Sequence, residues 1–190
     1  MQARVVARGP QIILVQRDDW RAFYDAECRE LESVAGTRLV AFEHVGSTAI
    51  PGLASKPVID ILAAASTLND PTIPENLNKL GYIQIPFVPA SKDASPPDSQ
   101  RLFFLKRGAA TAEGATPSQP GYNVHVVPIA RFRDDFQLMF RDYLRKHPDL
   151  VAEYARLKCE IVGRIASYSE YMPAKAAFIE RVLTAAREVS

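Results

Sequence analysis

Gly46, Ser47 and Asp60 are the residues whose types and spacing most directly suggest chemistry. They lie in the stretch His44–Leu62, HVGSTAIPGLASKPVIDIL, where a Gly-Ser pair, two prolines, a second glycine and a lysine precede one aspartate in an apolar run. A Gly-Ser pair at the end of a strand lets backbone N–H groups approach phosphate oxygens, and the serine hydroxyl adds a donor. An aspartate on the next strand can hold Mg²⁺ or Mn²⁺ against the same phosphates. Alternation puts Val58, Asp60 and Leu62 on one face, and Ile59 and Ile61 on the other. Asp60 is then a carboxylate among apolar neighbours, a costly placement unless a metal, a lysine or an arginine answers it. The competing reading is a structural one, in which Asp60 caps a loop or pairs with an arginine. Two other phosphate devices fail on spacing. A P-loop needs G-x-x-x-x-G-K-[ST], but five residues separate Gly46 from Gly52, and Leu53 stands where lysine belongs. The dinucleotide fingerprint G-x-G-x-x-G is absent.

Further candidates surround this core. In Tyr122–Val127, alternation places Asn123, His125 and Val127 on one face. A polar pair in an apolar strand suggests a pocket, and His125 can ligate metal, act as a general base, or be a hydrogen-bonded core histidine. Glu43 and His44 point to opposite faces of a regular strand, so at most one enters the site; Glu43 is a candidate metal ligand with Asp60 and His125. Lys56, at the entrance of the Asp60 strand, and Arg101, at the start of another, offer countercharge to phosphate. His147, before Pro148, reads as a cation at a helix C-terminus.

These residues need a sheet to hold them. Strands are expected at Ile12–Val15, Thr37–Val45, Pro57–Ala64, Tyr82–Ile85, Arg101–Lys106 and Tyr122–Val127. A helix capped at Asp18 or Asp19 and stopped at Gly36 carries Trp20, Phe23, Tyr24, Cys28, Leu31 and Val34 on one face. A short helix begins near Pro74 and ends at Gly81. A proline- and serine-rich loop follows Ile85, and the 107–121 connection is long for a hairpin and reads as a mobile insertion. Beyond Pro128 three apolar stripes predict helices: one from Phe132 through Phe136, Met139, Phe140, Tyr143 and Leu144, one over Leu150–Ile165, and one after Pro173. The expected architecture is one α+β domain over 1–190, with the sheet in 1–128 and a C-terminal helical layer in 129–190.

Composition sets outer limits. The 190 residues are 47% hydrophobic, enough for a sizeable core, and carry a net charge of +1. Neither a bulk basic field nor a basic stripe interleaved with aromatics is present, which argues against nucleic acid as a partner. Cys28 and Cys159 are far apart and in no metal-ligand spacing, and no apolar run is long enough for a membrane span, so a cytoplasmic protein is expected.

The stretch FEHVGSTAIPGLASKPVIDIL resembles the signature of the GrpB family, E-H-x-G-S-T-x-x-P-G-L-x-x-K-P-x-I-D-I, at every specified position. The likeness continues through RLFF, VHVV, FRDYLRKHP and EYARLK to the terminal Y…K…FI. The family is placed in the nucleotidyltransferase superfamily and is also found fused to dephospho-CoA kinase. The resemblance therefore implies a nucleotidyltransferase-like mixed β-sheet with flanking helices. It adds Arg141, Lys158 and Lys175 as candidate phosphate ligands beside Lys56 and Arg101. YMPAK departs from the family's usual glycine before the lysine, which weakens the carry-over to Lys175. The superfamily holds two metals with two acids spaced one residue apart on a strand; here the second position is Leu62.

The leading expectation is a nucleotidyltransferase that takes an NTP such as ATP with Mg²⁺ or Mn²⁺ and a small-molecule acceptor. A carboxylate acceptor would give an acyl-adenylate and a ligase-like outcome. In that reading Asp60 ligates metal, Gly46 and Ser47 cradle phosphate, Lys56 and Arg101 neutralise it, and His125 is base or second ligand. The alternative is a non-catalytic nucleotide- or coenzyme A-binding or folding module, favoured by the missing second acid.

Overall fold

The computed structural model describes residues 4–8, 12–87, 101–108, 119–166 and 168–189. Most of the proline- and serine-rich loop and most of the 107–121 connection lie outside these residues.

Strands β1 (Arg4–Arg8) and β2 (Ile13–Gln16) form a small antiparallel ribbon. Helix α1 (Trp20–Ala35) leads to β3 (Leu39–Val45), and β4 (Val58–Ala65) follows a loop with a short 3₁₀ turn at Ser47–Ala49. Helix α2 (Thr72–Lys79), β5 (Ile83–Ile85), β6 (Leu102–Lys106) and β7 (Gly121–Pro128) complete the sheet-forming part. The chain then runs through α3 (Ile129–Phe132), α4 (Phe136–Lys146), α5 (Pro148–Arg164), a 3₁₀ turn at Pro173–Lys175, and α6 (Ala176–Glu188).

The main sheet has the order β3-β4-β7-β6-β5. The β4–β7 pair is parallel and the other pairs are antiparallel. On its back face, Ile59, Ile61, Ala63, Val124 and Val126 bury against Trp20, Tyr24, Leu31 and Ala35 of α1 and Ile73 and Leu77 of α2. The i, i+4 recurrence of Trp20, Tyr24 and Cys28 builds that stripe, and Gly36, at φ +58, lets the chain leave the helix. On the front face, Val45, Leu62, Ala64 and Val127 are covered by Phe132 and Leu138. A third cluster joins Ile50 and Leu53 of the Gly46–Lys56 loop to Phe140, Leu144, Tyr154, Phe178 and Val182 of α4, α5 and α6. The helical layer is thus built on the loop that carries the Gly-Ser pair.

Three local features differ from the sequence reading. β1 carries no strong period-2 signal and forms by pairing with β2. The stripe beginning at Phe132 is broken, because the Asp135 carboxylate accepts from Gln137 N at 2.9 Å and starts α4 anew. Asp19 precedes α1 without a capping bond; its carboxylate instead takes Arg17 Nε and Nη2, both at 2.6 Å.

Candidate functional site

Register brings the candidate acids and the histidine onto one face. Val45 stands opposite Asp60 and Glu43 opposite Leu62 across β3–β4, while Asp60 faces Asn123 and Leu62 faces His125 across β4–β7. Asn123 Nδ2 donates to Asp60 Oδ1 at 2.8 Å, and His125 Nε2 lies 3.9 Å from the same oxygen. The chain leaving β3 turns directly over the carboxylate. Gly46 sits at φ +71, and a Cβ there would fall 2.2 Å from Asp60 Oδ2. Glycine is therefore needed twice, for the backbone angle and for the space. Burial pushes the Asp60 carboxyl up, but His125, Asn123 and the charge of Lys56 outweigh it and hold the group below the usual carboxylate range.

Lys56, Lys158 and Lys175 converge on the same region. Lys158 and Lys175 are buried. Lys158 Nζ donates to Ala54 O at 2.6 Å and lies 3.4 Å from Ser55 Oγ. The ammonium groups of Lys175 and Lys56 lie 4.3 and 5.0 Å from the centre of one ring, that of Tyr171. Burial and then the charge of Lys56 push Lys175 down to about 7, with Asp60 opposing. Burial, Lys175 and Lys56 push Lys158 well below the ordinary lysine range. Buried like charges of this kind are costly without a counter-ion, and the arrangement suits an anion with several oxygens. A pH dependence follows. Because the Lys175 pKa is lowered from 10.5 to about 7, the unfolded chain binds more protons than the folded one across that interval. Ligand-free stability should therefore gain a rising contribution between those limits, and Lys175→Met should flatten it in thermal melts taken over that range.

The arginines are engaged elsewhere. Arg101 Nη2 donates to Asp135 Oδ2 at 2.6 Å, and its Nη1 donates to Gln137 Oε1 at 3.1 Å and lies 3.4 Å from His125 Nδ1. It ties the start of β6 to the start of α4 and backs the His125 ring. Arg141 Nη1 donates to Glu43 Oε2 at 2.7 Å and to His44 O at 2.8 Å. Glu43, with Arg133 also 3.6 Å away, is committed to that pairing. His44 points to the back face, stacks on Tyr24 at 4.8 Å and meets Thr48 Oγ1 at 3.0 Å; burial pushes it down to about 4, as a structural group. The His147 ring meets Tyr143 O at 2.7 Å, at the end of α4.

The structure thus brings Gly46, Asp60, His125, Lys56, Lys158 and Lys175 around one centre, with Ser47 joined through Tyr154. It does not bring the guanidinium groups of Arg101 and Arg141 into the lysine group. Three contributors were not singled out from sequence, Ser55, Tyr154 and Tyr171, while Asn123 was placed on the pocket face beside His125 without a role of its own. Tyr154 falls on the α5 apolar stripe, yet it hydrogen-bonds Ser47. Tyr154 is the single aromatic residue of that stripe, and a hydroxyl that needs a partner when buried is the signal that could have marked it. Arg145 was equally hidden; its Nε and Nη2 grip Ala49 O at 3.1 and 2.7 Å and hold the Gly-Ser loop.

Among the described residues, no group of three or more His, Cys, Asp or Glu could hold a metal ion. The donor set at Asp60 fits a hard cation that brings oxygens with it, since Mg²⁺ is commonly held by one or two carboxylates plus phosphate and water. No helix among the described residues is long and apolar enough to cross a membrane.

Comparison with known proteins places these features in a context. The profile of the family described as GrpB protein matches residues 11–185. A UPF0157 protein of Pseudomonas aeruginosa is 34% identical over 166 residues, which cover 86% of this chain and 62% of that protein. A protein named dephospho-CoA kinase in Mycolicibacterium paratuberculosis is 29% identical, over 83% of this chain and 41% of its own length. The chain therefore spans only part of these two relatives. The crystal structure of GrpB from Enterococcus faecalis superposes with a TM-score of 0.70 at 23% identity, covering 90% of this chain and 94% of that one. The fold is shared: a mixed α+β arrangement of five-stranded sheet and helices.

Proposed function

The chain belongs to the GrpB family, and from that premise we propose that it binds a nucleoside triphosphate across Asp60 and the three lysines and transfers its nucleotidyl group to a small acceptor. The observation that carries this reading is the burial of Lys158 and Lys175 beside a carboxylate cradled by Gly46. A polyphosphate would add negative charge where three lysines meet one aspartate. The likeness to part of a protein named dephospho-CoA kinase supports the nucleotide class.

The chain's residues divide the work. Asp60 would hold the Mg²⁺ of a metal–triphosphate, which would supply charge neutralisation at the phosphate oxygens. Asn123 fixes the Asp60 carboxylate by the 2.8 Å bond to Oδ1. The Ser47 turn and the lysines bind the phosphates. His125 is the candidate to take the proton of an acceptor hydroxyl or amine. The acceptor oxygen or nitrogen then bonds to the α-phosphorus, the bond to the bridging oxygen breaks, and pyrophosphate leaves. A carboxylate acceptor needs no base and gives an acyl-adenylate.

One observation favours a second reading, a binding module without turnover. Leu62 fills the second acid's position, fully buried among Val45, Ala64, Val127, Phe132 and Leu138, and Glu43 in the same row is paired with Arg141.

Thermal melts with and without ligand test both. A ligand that binds only the folded state adds about 2.7 kcal/mol at one hundred times Kd, a rise of roughly 5–10 °C for a domain of this size. ATP with Mg²⁺ should give that rise, Lys56→Ala should reduce it, and labelled pyrophosphate should be released when acceptor is present. A metal-independent shift with coenzyme A would favour the binding module. No shift with any nucleotide at millimolar concentration would sink both readings.

A further inference from the structure

The face of the sheet that carries Asp60 also carries an aromatic group. Phe103 on β6 stands opposite His125 on β7, and their rings stack with centres 4.7 Å apart. Phe87, just beyond β5, meets both rings edge-on, at 5.8 Å from Phe103 and 5.5 Å from His125. The Arg101 guanidinium lies 4.7 Å from the centre of the Phe87 ring and 5.2 Å from that of Phe136. Phe104, the next residue of β6, is 1% exposed in the back-face core. Phe87 and Phe103 remain partly exposed. The strand therefore gives one phenylalanine to the core and presents the other on the Asp60 face.

We propose that Phe87 and Phe103, with the buried Arg101 guanidinium packed against Phe87, form a ring-binding subsite that stacks the nucleobase of the triphosphate. The inference rests on the nucleotide reading above and adds where the base goes. The phosphate anchors reach Asp60 from the entrance of β4 and from the helical layer. The aromatic group lies two strand positions away from β4, on β6. That offset is about 10 Å at ordinary strand spacing, the span of a ribose and base extending from an α-phosphate held at Asp60. Stacking on aromatic planes accepts any base, because every base has a π-face. The subsite should consequently rank ligands by ring size, purine above pyrimidine, more than by the pattern of donors and acceptors on the base edge.

The test is titration calorimetry in Mg²⁺ with two probes, ATP and inorganic tripolyphosphate, which has no ring. The wild-type protein should bind ATP more tightly than tripolyphosphate. Phe103→Leu keeps apolar bulk but loses the ring, and should weaken ATP roughly 5- to 100-fold while leaving tripolyphosphate unchanged. Unchanged tripolyphosphate binding also shows that the variant is folded. Phe103→Trp should retain or tighten ATP. A triphosphate of 2-aminopurine riboside should lose fluorescence on binding the wild type and lose less on binding Phe103→Leu. Equal losses for ATP and tripolyphosphate, or no loss for either, would overturn the subsite while leaving the nucleotide reading standing. Failure of the wild type to bind both probes would overturn the nucleotide reading itself, and the subsite with it.

Discussion

Gly46→Ala should abolish metal-dependent triphosphate binding and lower the melting temperature by roughly 2–10 °C. Two penalties coincide at this position. The backbone angle of +71° lies where an L-residue is strained, at a cost on the order of 1–3 kcal/mol, and each kcal/mol is worth roughly 2–4 °C here. The added Cβ would also sit 2.2 Å from Asp60 Oδ2 and 2.9 Å from Asp60 Cγ, so the carboxylate must move. Its 2.8 Å bond from Asn123 would break with that movement. Calorimetric melts of wild type and variant, with and without ATP and Mg²⁺, separate the two effects. A variant that melts lower but keeps the full metal-dependent rise would show that the Asp60 position is not where the metal–triphosphate binds.

Asp60→Asn should also remove metal-linked binding, and it should destabilise the ligand-free protein. Sequence reasoning favours the opposite sign for stability, because an isolated buried carboxylate is strained and its loss brings relief. The lysines reverse that expectation. The Asp60 charge opposes the depression of both Lys158 and Lys175, so removing it depresses both further and makes their charged forms costlier to keep buried. The loss should be about 1–3 kcal/mol, less than the roughly 3–5 of a fully buried pair, because the carboxylate is 24% exposed. The pH dependence has a definite sign. A carboxyl whose folded pKa is lowered contributes stability above its unfolded value of 3.8, and that contribution is lost as pH falls through the folded value. The gap between wild type and variant should therefore close in strong acid. Adding Lys175→Met to Asp60→Asn should restore part of the stability at neutral pH. A double variant no more stable than the single one would remove lysine repulsion as the cause.

Local pattern made the sheet and the Gly-Ser carboxylate legible. Alternation in VIDIL put Asp60 and Leu62 on one face, and alternation in YNVHVV did the same for Asn123 and His125; both hold in the register of β4 and β7. Period and register are properties of short windows, so one sequence displays them. The lysine cluster was not legible as a cluster. Lys56, Lys158 and Lys175 come from a strand entrance, α5 and a 3₁₀ turn, and each alone has the look of a solvated surface charge. Their convergence is set by how α5 and the turn before α6 dock, which no local window encodes. The pairings of Arg101 and Arg141 were hidden for a related reason. Their partners Asp135 and Glu43 are 34 and 98 residues away, and a guanidinium that appears free to grip phosphate is already bonded across the fold.

The loop from Gly46 to Lys56 is tied to parts of the chain that are far from it in sequence. Val15 and Ser55 exchange backbone bonds of 2.8 and 2.9 Å, Arg145 grips Ala49 O, and Lys158 holds Ala54 O across a separation of 104 residues. Closure over such distances is slow, because loop entropy is lost before these contacts reward it. The sheet hairpins can form early, but the Gly46–Lys56 loop can set only after α5 is in place. During synthesis the nascent chain thus carries Gly46, Ser47 and Asp60 long before it can use them. The proposed anion site is complete only with the last third of the polypeptide, and chains ending before Lys158 should hold a sheet without it.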